Sequence, residues 1–357
     1  MFDFSSFLSN KAFITEDHHV YTYADLLGLS ERFSEHLVPR SLIFIGCENS
    51  LESIVAYVSC LRSGVVPLLL SRDVPDETLY HLEAIYHPRY CWFPSRRDLL
   101  VKGKEKYSLG GYSLIQYDGD SPVLPEGLAL LLTTSGSTGS PKLVRLSHDN
   151  LKSNACSIIE YLKITSSEKA ITSLPMYYSY GLSVLNSHLL AGATLLLTDK
   201  SYVQREFWKF VLEEKATSFA GVPFTYEILK KMRFEKFLPS SVKVMTQAGG
   251  KLNSSLIKYF SEYARLHDIR FYVMYGQTEA TARMSYLPAE YTLNKVGSVG
   301  VAIPGGHFSL IDEDGMRIVS PNVEGELVYE GSNVFWGYAE SLDDLFKGDE
   351  NKGILYT

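Results

Sequence analysis

The 357-residue chain has only four cysteines, Cys47, Cys60, Cys91 and Cys156, and no two of them stand in Cys-x-x-Cys spacing. That removes the usual signature of a zinc site or a dithiol redox centre. So few thiols in so long a chain read as reduced, buried residues of a cytoplasmic protein. There is no Lys/Arg-rich run, and the net charge is −7, opposite in sign to the basic face of a nucleic-acid binder. The longest apolar run, near residues 189–197, is too short to span a bilayer. The first residues, MFDFSSFLSNK, have neither the basic start nor the apolar stretch of a signal peptide. No H-E-x-x-H motif, Cys/His cluster or G-x-S-x-G elbow occurs, which argues against a zinc hydrolase and an α/β-hydrolase. The nine histidines are scattered, and His148 reads as a helix-start or packing residue.

What the chain does have is enough apolar side chain, 45% of its residues, to bury a large core. Tyrosine is abundant, 24 beside 18 Phe, and some of those rings are expected to line a pocket. Helical apolar spacing at residues 25–37 and 51–64 alternates with strand-like runs at 41–46 and 65–70. The alternation continues with strands at 170–174, 193–198, 218–222, 242–246 and 271–275, and helices at 206–215 and 223–233. Such a pattern predicts an α/β fold with mostly parallel sheets covered by helices. After residue 295 the texture changes to short strands between turns, at 307–311, 312–315 and 326–330, which reads as a small β-rich unit. Three units are expected: 1–127 and 128–295, both α/β, and 296–357.

The stretch that points to chemistry follows the apolar strand at 128–132. Residues 133–142 read Thr-Thr-Ser-Gly-Ser-Thr-Gly-Ser-Pro-Lys, six hydroxyls, two glycines and a lysine. Glycines let backbone N–H groups curl around an anion, hydroxyls add donors, and Lys142 adds a mobile positive charge. This composition suits a triphosphate. The spacing is not the G-x-x-x-x-G-K-[ST] loop, and a second strand at 143–146 comes before the next helix cap at 147–150. A polar surface loop is the bland alternative, disfavoured by the strand directly before it.

TSGSTGSPK resembles the signature loop of the adenylate-forming (ANL) superfamily, which holds acyl- and aryl-CoA synthetases, nonribosomal adenylation domains and luciferases. Further blocks resemble that family in order: Tyr21–Leu26 (TYADL core), Leu61–Pro67, Pro175–Leu182 (PMYYSYGL), Gln247–Leu252 (QAGGKL), Tyr275–Glu279 (YGQTE), Gly297–Gly300 and Gly325–Leu327. They span almost the whole chain. The resemblance implies two helix-covered, mostly parallel sheets packed together plus a small β-barrel subdomain. It also implies ATP-dependent activation of a carboxylic acid to acyl-AMP and pyrophosphate. Transfer to the thiol of CoA or of a carrier protein's phosphopantetheine would follow in the complete protein.

The residue roles it implies are these. Thr134, Ser135, Gly136, Ser137, Thr138, Gly139 and Lys142 would hold the phosphates. Tyr275 would stack on adenine with Gly249 and Gly250 as the opposite wall, flanked by Lys251 and Gly276. Thr278 would bond the α-phosphate and Glu279 would hold Mg²⁺; with Lys142 these form the catalytic set. Tyr178, Ser179, Tyr180, Gly181, Phe219, Val222 and Gly249 would line the acid site, with Phe224 adding to its apolar character. Partners would be a small carboxylic acid and an acyl carrier protein, without nucleic acid or a membrane span.

Departures from the family pattern are informative. Tyr178 stands where many relatives have histidine, Leu143 where glycine follows Pro-Lys, and Val273 where Asn or Gln contacts adenine. Gly181 stands where amino-acid-activating relatives place an aspartate for the substrate ammonium, so the acid is expected to lack an α-amino group. The chain stops at Thr357, before the family's expected Gly-Asp, hinge and C-terminal lid domain. It is therefore expected to be the N-terminal core of an acid ligase. A nucleotide- or acyl-adenylate-binding protein that needs a C-terminal domain or partner is the alternative.

Overall fold

The computed structural model describes residues 1–95, 103–133 and 142–357. Among them the strands form three sheets. One runs in the order Gly337–Ala339, Leu143–Ser147, Leu128–Thr133, Val66–Ser71, Leu42–Cys47, Tyr90–Pro94, Tyr112–Tyr117, Gly103–Leu109. Its central strands are parallel and its outer pairs antiparallel. The second has five consecutive parallel pairings through Lys11–Ile14, Thr194–Leu196, Lys169–Ile171, Ser218–Gly221, Val244–Gln247 and Arg270–Tyr275, with antiparallel strands at both edges. The third is antiparallel, in the order Arg317–Ile318, Gly306–Ile311, Glu326–Gly331, Ile354–Tyr356. It is a four-stranded sheet rather than the barrel expected from the resemblance.

Helices form where the sequence supplies both a cap and an apolar stripe. Ser50 caps Leu51–Ser63 by accepting from the Ser53 amide, and Gly64, in the left-handed region at φ +69°, ends it. Ser147 and Asn150 exchange reciprocal bonds that start His148–Leu162. The largest apolar cluster combines Ile43, Leu130 and Val144 of the first sheet, Phe13 and Leu195 of the second, and helix residues Ile54, Tyr57, Leu182 and Leu185. Those helices therefore lie between the two sheets. Asp76–Tyr86 covers the outer face of the first sheet, and Arg205–Glu213, Pro223–Met232 and Ser254–Leu266 cover the outer face of the second. The parallel strands of these two sheets are thus buried on both faces, as parallel sheets require.

Three sequence expectations change. The division at residue 127 does not match the sheets: Leu128–Thr133 pairs with Val66–Ser71 in the first sheet, while Lys11–Ile14 pairs into the second. Residues 312–315 are a turn, not a strand; the Asp312 carboxylate accepts from the amides of Asp314 (3.1 Å) and Met316 (2.8 Å). Cys47, Cys60 and Cys91 are buried, but Cys156 is exposed. No helix among the described residues is long and apolar enough to cross a membrane.

Candidate nucleotide and acid site

The site sits at the carboxyl ends of parallel strands, where open α/β sheets place their ligands. Val244–Gln247 runs into Gly249-Gly250-Lys251, and Arg270–Tyr275 runs into Gly276 and Thr278. These two ends and the loop Gly297-Ser298-Val299 enclose a cleft of about 440 Å³. It brings together Gly249, Gly250, Lys251, Tyr275 and Gly276, all singled out in the sequence for the nucleotide. Val273 lines it too, and beside it lies Gln247, its register partner on the neighbouring strand.

Gln247 was missed by sequence reasoning. Its side chain is fully buried; Nε2 donates to the Gly250 carbonyl (2.9 Å), while Oε1 is buried without a partner among the described residues. An orphaned buried acceptor is costly unless something fills its lone pairs. A base carrying an exocyclic amino group has the donor this cleft lacks. The cleft's size, its aromatic face and this acceptor all fit adenine.

Glu279 lies on the short 3₁₀ turn Thr278–Ala280, directly after that strand end. Its Oε1 accepts from the Tyr338 hydroxyl at 2.7 Å. The Lys142 ammonium sits 4.1 Å from the centroid of the same Tyr338 ring and 3.2 Å from the Glu340 carboxylate. Tyr338 thus touches both the carboxylate expected to hold Mg²⁺ and the lysine that closes the hydroxyl-rich stretch. Burial, and then the Glu279 carboxylate, push the Tyr338 phenol above its ordinary range, so it stays protonated and donates. Thr134, Ser135, Gly136, Ser137, Thr138 and Gly139 lie outside the described residues.

Tyr338 is held by the strand Gly337–Ala339, which pairs with Leu143–Ser147. Arg145 on that partner strand is fully buried. It is paired with Glu350 and donates to the carbonyls of Trp336, Tyr338, Lys347 and Gly348. No cluster of three or more His, Cys, Asp or Glu side chains exists among the described residues. A single carboxylate suits Mg²⁺, which keeps waters and takes its other oxygens from phosphates.

The acid-site residues divide. Ser179 and Thr278 hydroxyls lie 3.1 Å apart, tying the start of the helix Ser179–Leu190 to the turn Thr278–Ala280. Tyr178 packs edge-on to Tyr180 with ring centroids 6.4 Å apart, and burial raises both phenols above their ordinary range. The Tyr180 hydroxyl donates to Thr246 at 2.8 Å. Gly249 has φ +80°, and a Cβ there would come within 2.3 Å of the Tyr178 hydroxyl and 3.2 Å of Val222. Tyr178, Val222 and Gly249 therefore meet, and Gly249 also lines the cleft.

Phe219 is not brought to this group. It faces the helical layer, stacked on Trp208 at 5.7 Å, because strand alternation points it away from the Ala220 side. Phe224 is exposed on the helix Pro223–Met232. Gly181 is buried, and a Cβ there would stand 2.2 Å from the Pro175 carbonyl oxygen, so no side chain fits at that position without moving the turn. His148 begins its helix, as read from the sequence, and its Nδ1 is buried without a partner among the described residues.

The fold and these residues define a class. A sequence profile described as "AMP-binding enzyme" matches residues 6–339. The chain belongs to that family. The curated relative "2-succinylbenzoate--CoA ligase" of Bacillus cereus is 31% identical, over 99% of this chain and 74% of its own length. Among solved structures, the inhibitor-bound N-terminal domain of FACL13 from Mycobacterium tuberculosis superposes with a TM-score of 0.81 at 16% identity, covering 99% of this chain and 93% of that one. The o-succinylbenzoate coenzyme A synthetase of Bacillus subtilis in complex with ATP and magnesium ion gives 0.74 at 23%, covering 98% and 73%. At these identities the two structures establish the shared fold.

Proposed function

We propose that the chain carries the nucleotide and acid sites of an AMP-forming acid–thiol ligase, which joins a carboxylic acid lacking an α-amino group to AMP. The adenine of ATP would lie in the cleft between Tyr275 and Gly249-Gly250, with its amino group toward Gln247. Mg²⁺ on Glu279 would supply charge neutralisation between two anions that otherwise repel. Tyr338 holds the Glu279 carboxylate in one orientation. Lys142 leaves Tyr338 and Glu340 for the phosphates, a short move for a flexible stem. Thr278, braced by Ser179, offers its hydroxyl to the α-phosphate. Tyr178, Val222 and Gly249 shape the near wall of the acid site and exclude water from it.

The observation that carries this reading is the contact of Tyr338 with both Glu279 and Lys142, beside a cleft of base size. The acyl group would then pass to CoA or to a carrier-protein pantetheine. The test is acid-dependent ATP–pyrophosphate exchange over a panel of aryl and alkyl acids, with ATP binding followed by calorimetry. Exchange with at least one acid supports the reading. Absence of both ATP binding and exchange overturns it.

A further inference from the structure

Two guanidinium groups among the described residues are buried almost completely, Arg145 and Arg283. Arg145 is paired with Glu350 and surrounded by carbonyls. Arg283 has no such company. Its Nε donates to the Ser183 hydroxyl at 3.1 Å, and its Nη1 to the Tyr161 hydroxyl at 2.9 Å and the Met274 sulfur at 3.5 Å. Among the described residues its Nη2 meets no acceptor, and no carboxylate forms an ion pair with it. The Tyr180 ring, its centroid 5.1 Å from the guanidinium carbon, adds only a neutral π face. A buried cation without a counter-charge is costly.

Arg283 lines an internal cavity of about 20 Å³, room for one water-sized group. The cavity reaches toward the amino ends of the second sheet's parallel strands, at Ala170, Ser218 and Val244. It shares no residue with the base cleft at the opposite strand ends, nor with Tyr178, Val222 and Gly249. Leu162, Val184 and Ala220 make much of its wall apolar. Thr246 brings a second donor: its hydroxyl oxygen accepts from the Tyr180 hydroxyl at 2.8 Å, and its own proton has no acceptor among the described residues.

Two other ionisable groups line the cavity. Glu168 accepts from the Thr217 hydroxyl and makes no ion pair with Arg283. His188 donates through Nδ1 to the Val184 carbonyl at 2.8 Å, and burial keeps its imidazole neutral, so it adds no charge.

We propose that this cavity binds one small monovalent anion of the halide class, chloride in the simplest case, held by the Arg283 guanidinium and the Thr246 hydroxyl. Charge, donors and size agree on this. A water molecule satisfies the donors but leaves the positive charge unbalanced. Sulfate, phosphate and carboxylates are too large for a space of one water-sized group. Fluoride fits but holds its hydration shell too firmly for a wall so largely apolar. The bound ion ties Thr246, on the strand that leads to Gly249-Gly250, to Arg283, just after the turn Thr278–Ala280.

The test follows thermal unfolding of the chain in sodium gluconate, titrated with sodium chloride, bromide, fluoride or sulfate at constant ionic strength. A ligand that binds only the folded chain raises the melting temperature along a saturating curve. Chloride and bromide are expected to do so, whereas fluoride and sulfate give only the non-saturating rise of general salt effects. Arg283→Gln should weaken the apparent chloride affinity by about tenfold or more. Thr246→Val, which removes one donor, should weaken it by about threefold. Crystals soaked in bromide should show an anomalous peak in the cavity, within about 3.5 Å of both Arg283 Nη2 and the Thr246 hydroxyl.

Chloride and bromide curves that match those of fluoride and sulfate overturn the proposal. Chloride affinity unchanged in Arg283→Gln overturns it equally. If that variant does not fold, the bromide crystals decide: no anomalous peak in the cavity, or peaks on the surface alone, overturns the site.

Discussion

Replacing Tyr338 with phenylalanine isolates one interaction. The hydroxyl that donates to Glu279 at 2.7 Å disappears, while the ring beneath Lys142 and its edge contact with Phe335, at 4.8 Å, remain. A hydrogen bond to a charged acceptor contributes about 1.5–3 kcal/mol when fully desolvated. Glu279 is half-buried, so water replaces part of the lost bond, and about 1 kcal/mol is the expected cost to folding stability. Metal affinity should suffer more, because a carboxylate freed from its orienting donor loses about tenfold or more in affinity for a divalent ion. Calorimetric titration of Mg·ATP into wild type and Tyr338→Phe reads the second effect, and urea unfolding reads the first. A double-mutant cycle with Glu279→Ala should return a coupling of about 1 kcal/mol. Zero coupling, together with unchanged Mg·ATP affinity in Tyr338→Phe, would refute the assignment of Tyr338 as the residue that positions Glu279.

Other consequences follow from single atoms. Gly249→Ala should lose about 2–4 kcal/mol in urea unfolding, from positive φ and from the 2.3 Å approach to Tyr178; adding Tyr178→Phe should return the steric part only, and no recovery would mean the two do not meet. Gln247→Leu removes an unsatisfied buried acceptor, so the free protein should be as stable or more stable by about 1 kcal/mol, while ATP binds more weakly and discrimination against ITP is lost. Unchanged ATP affinity in that variant would remove Gln247 from the base site. His188 is buried, and its pKa is lowered to about 4 from 6.5. Its neutral form is favoured in the folded state, so the stability it contributes is present above pH 6.5 and lost as pH falls from 6.5 toward 4, in total on the order of 3 kcal/mol. Urea melts of wild type and His188→Gln at pH 7 and pH 4.5 should differ less at the lower pH; an identical pH slope would contradict this.

Much of the architecture could be read in the sequence because burial on both faces of a parallel sheet writes continuous apolar runs. The strand Leu42–Cys47 and the helix Leu51–Ser63 with its Ser50 cap and Gly64 stop follow from local signals alone. Sheet membership could not be read this way. Gly337–Ala339 completes the first sheet from almost 200 residues away, and nothing local to it announces Leu143–Ser147 as its partner. Tyr338 was invisible for the same reason: its role comes from that long-range pairing. Gln247 was missed because a polar residue near a strand end signals nothing until its burial and its missing partner are known. Phe219 was placed in the acid site on residue type alone, and the twofold alternation of its strand sends it to the other face. The glycine pair and the Tyr275–Glu279 block were singled out by their resemblance to family blocks, and Gly249, Gly250, Tyr275 and Gly276 line one cleft.

The claim on which the account stands is that Glu279 meets the nucleotide's phosphates through a divalent ion. Manganese in place of magnesium, with ATP bound, makes that ion visible to anomalous diffraction from crystals of this chain. The account predicts manganese in direct coordination to the Glu279 carboxylate, at an ordinary metal–oxygen distance of about 2.2 Å, with Tyr338 still bonded to the other carboxylate oxygen. Manganese bound to ATP but with Glu279 outside its coordination sphere would contradict it.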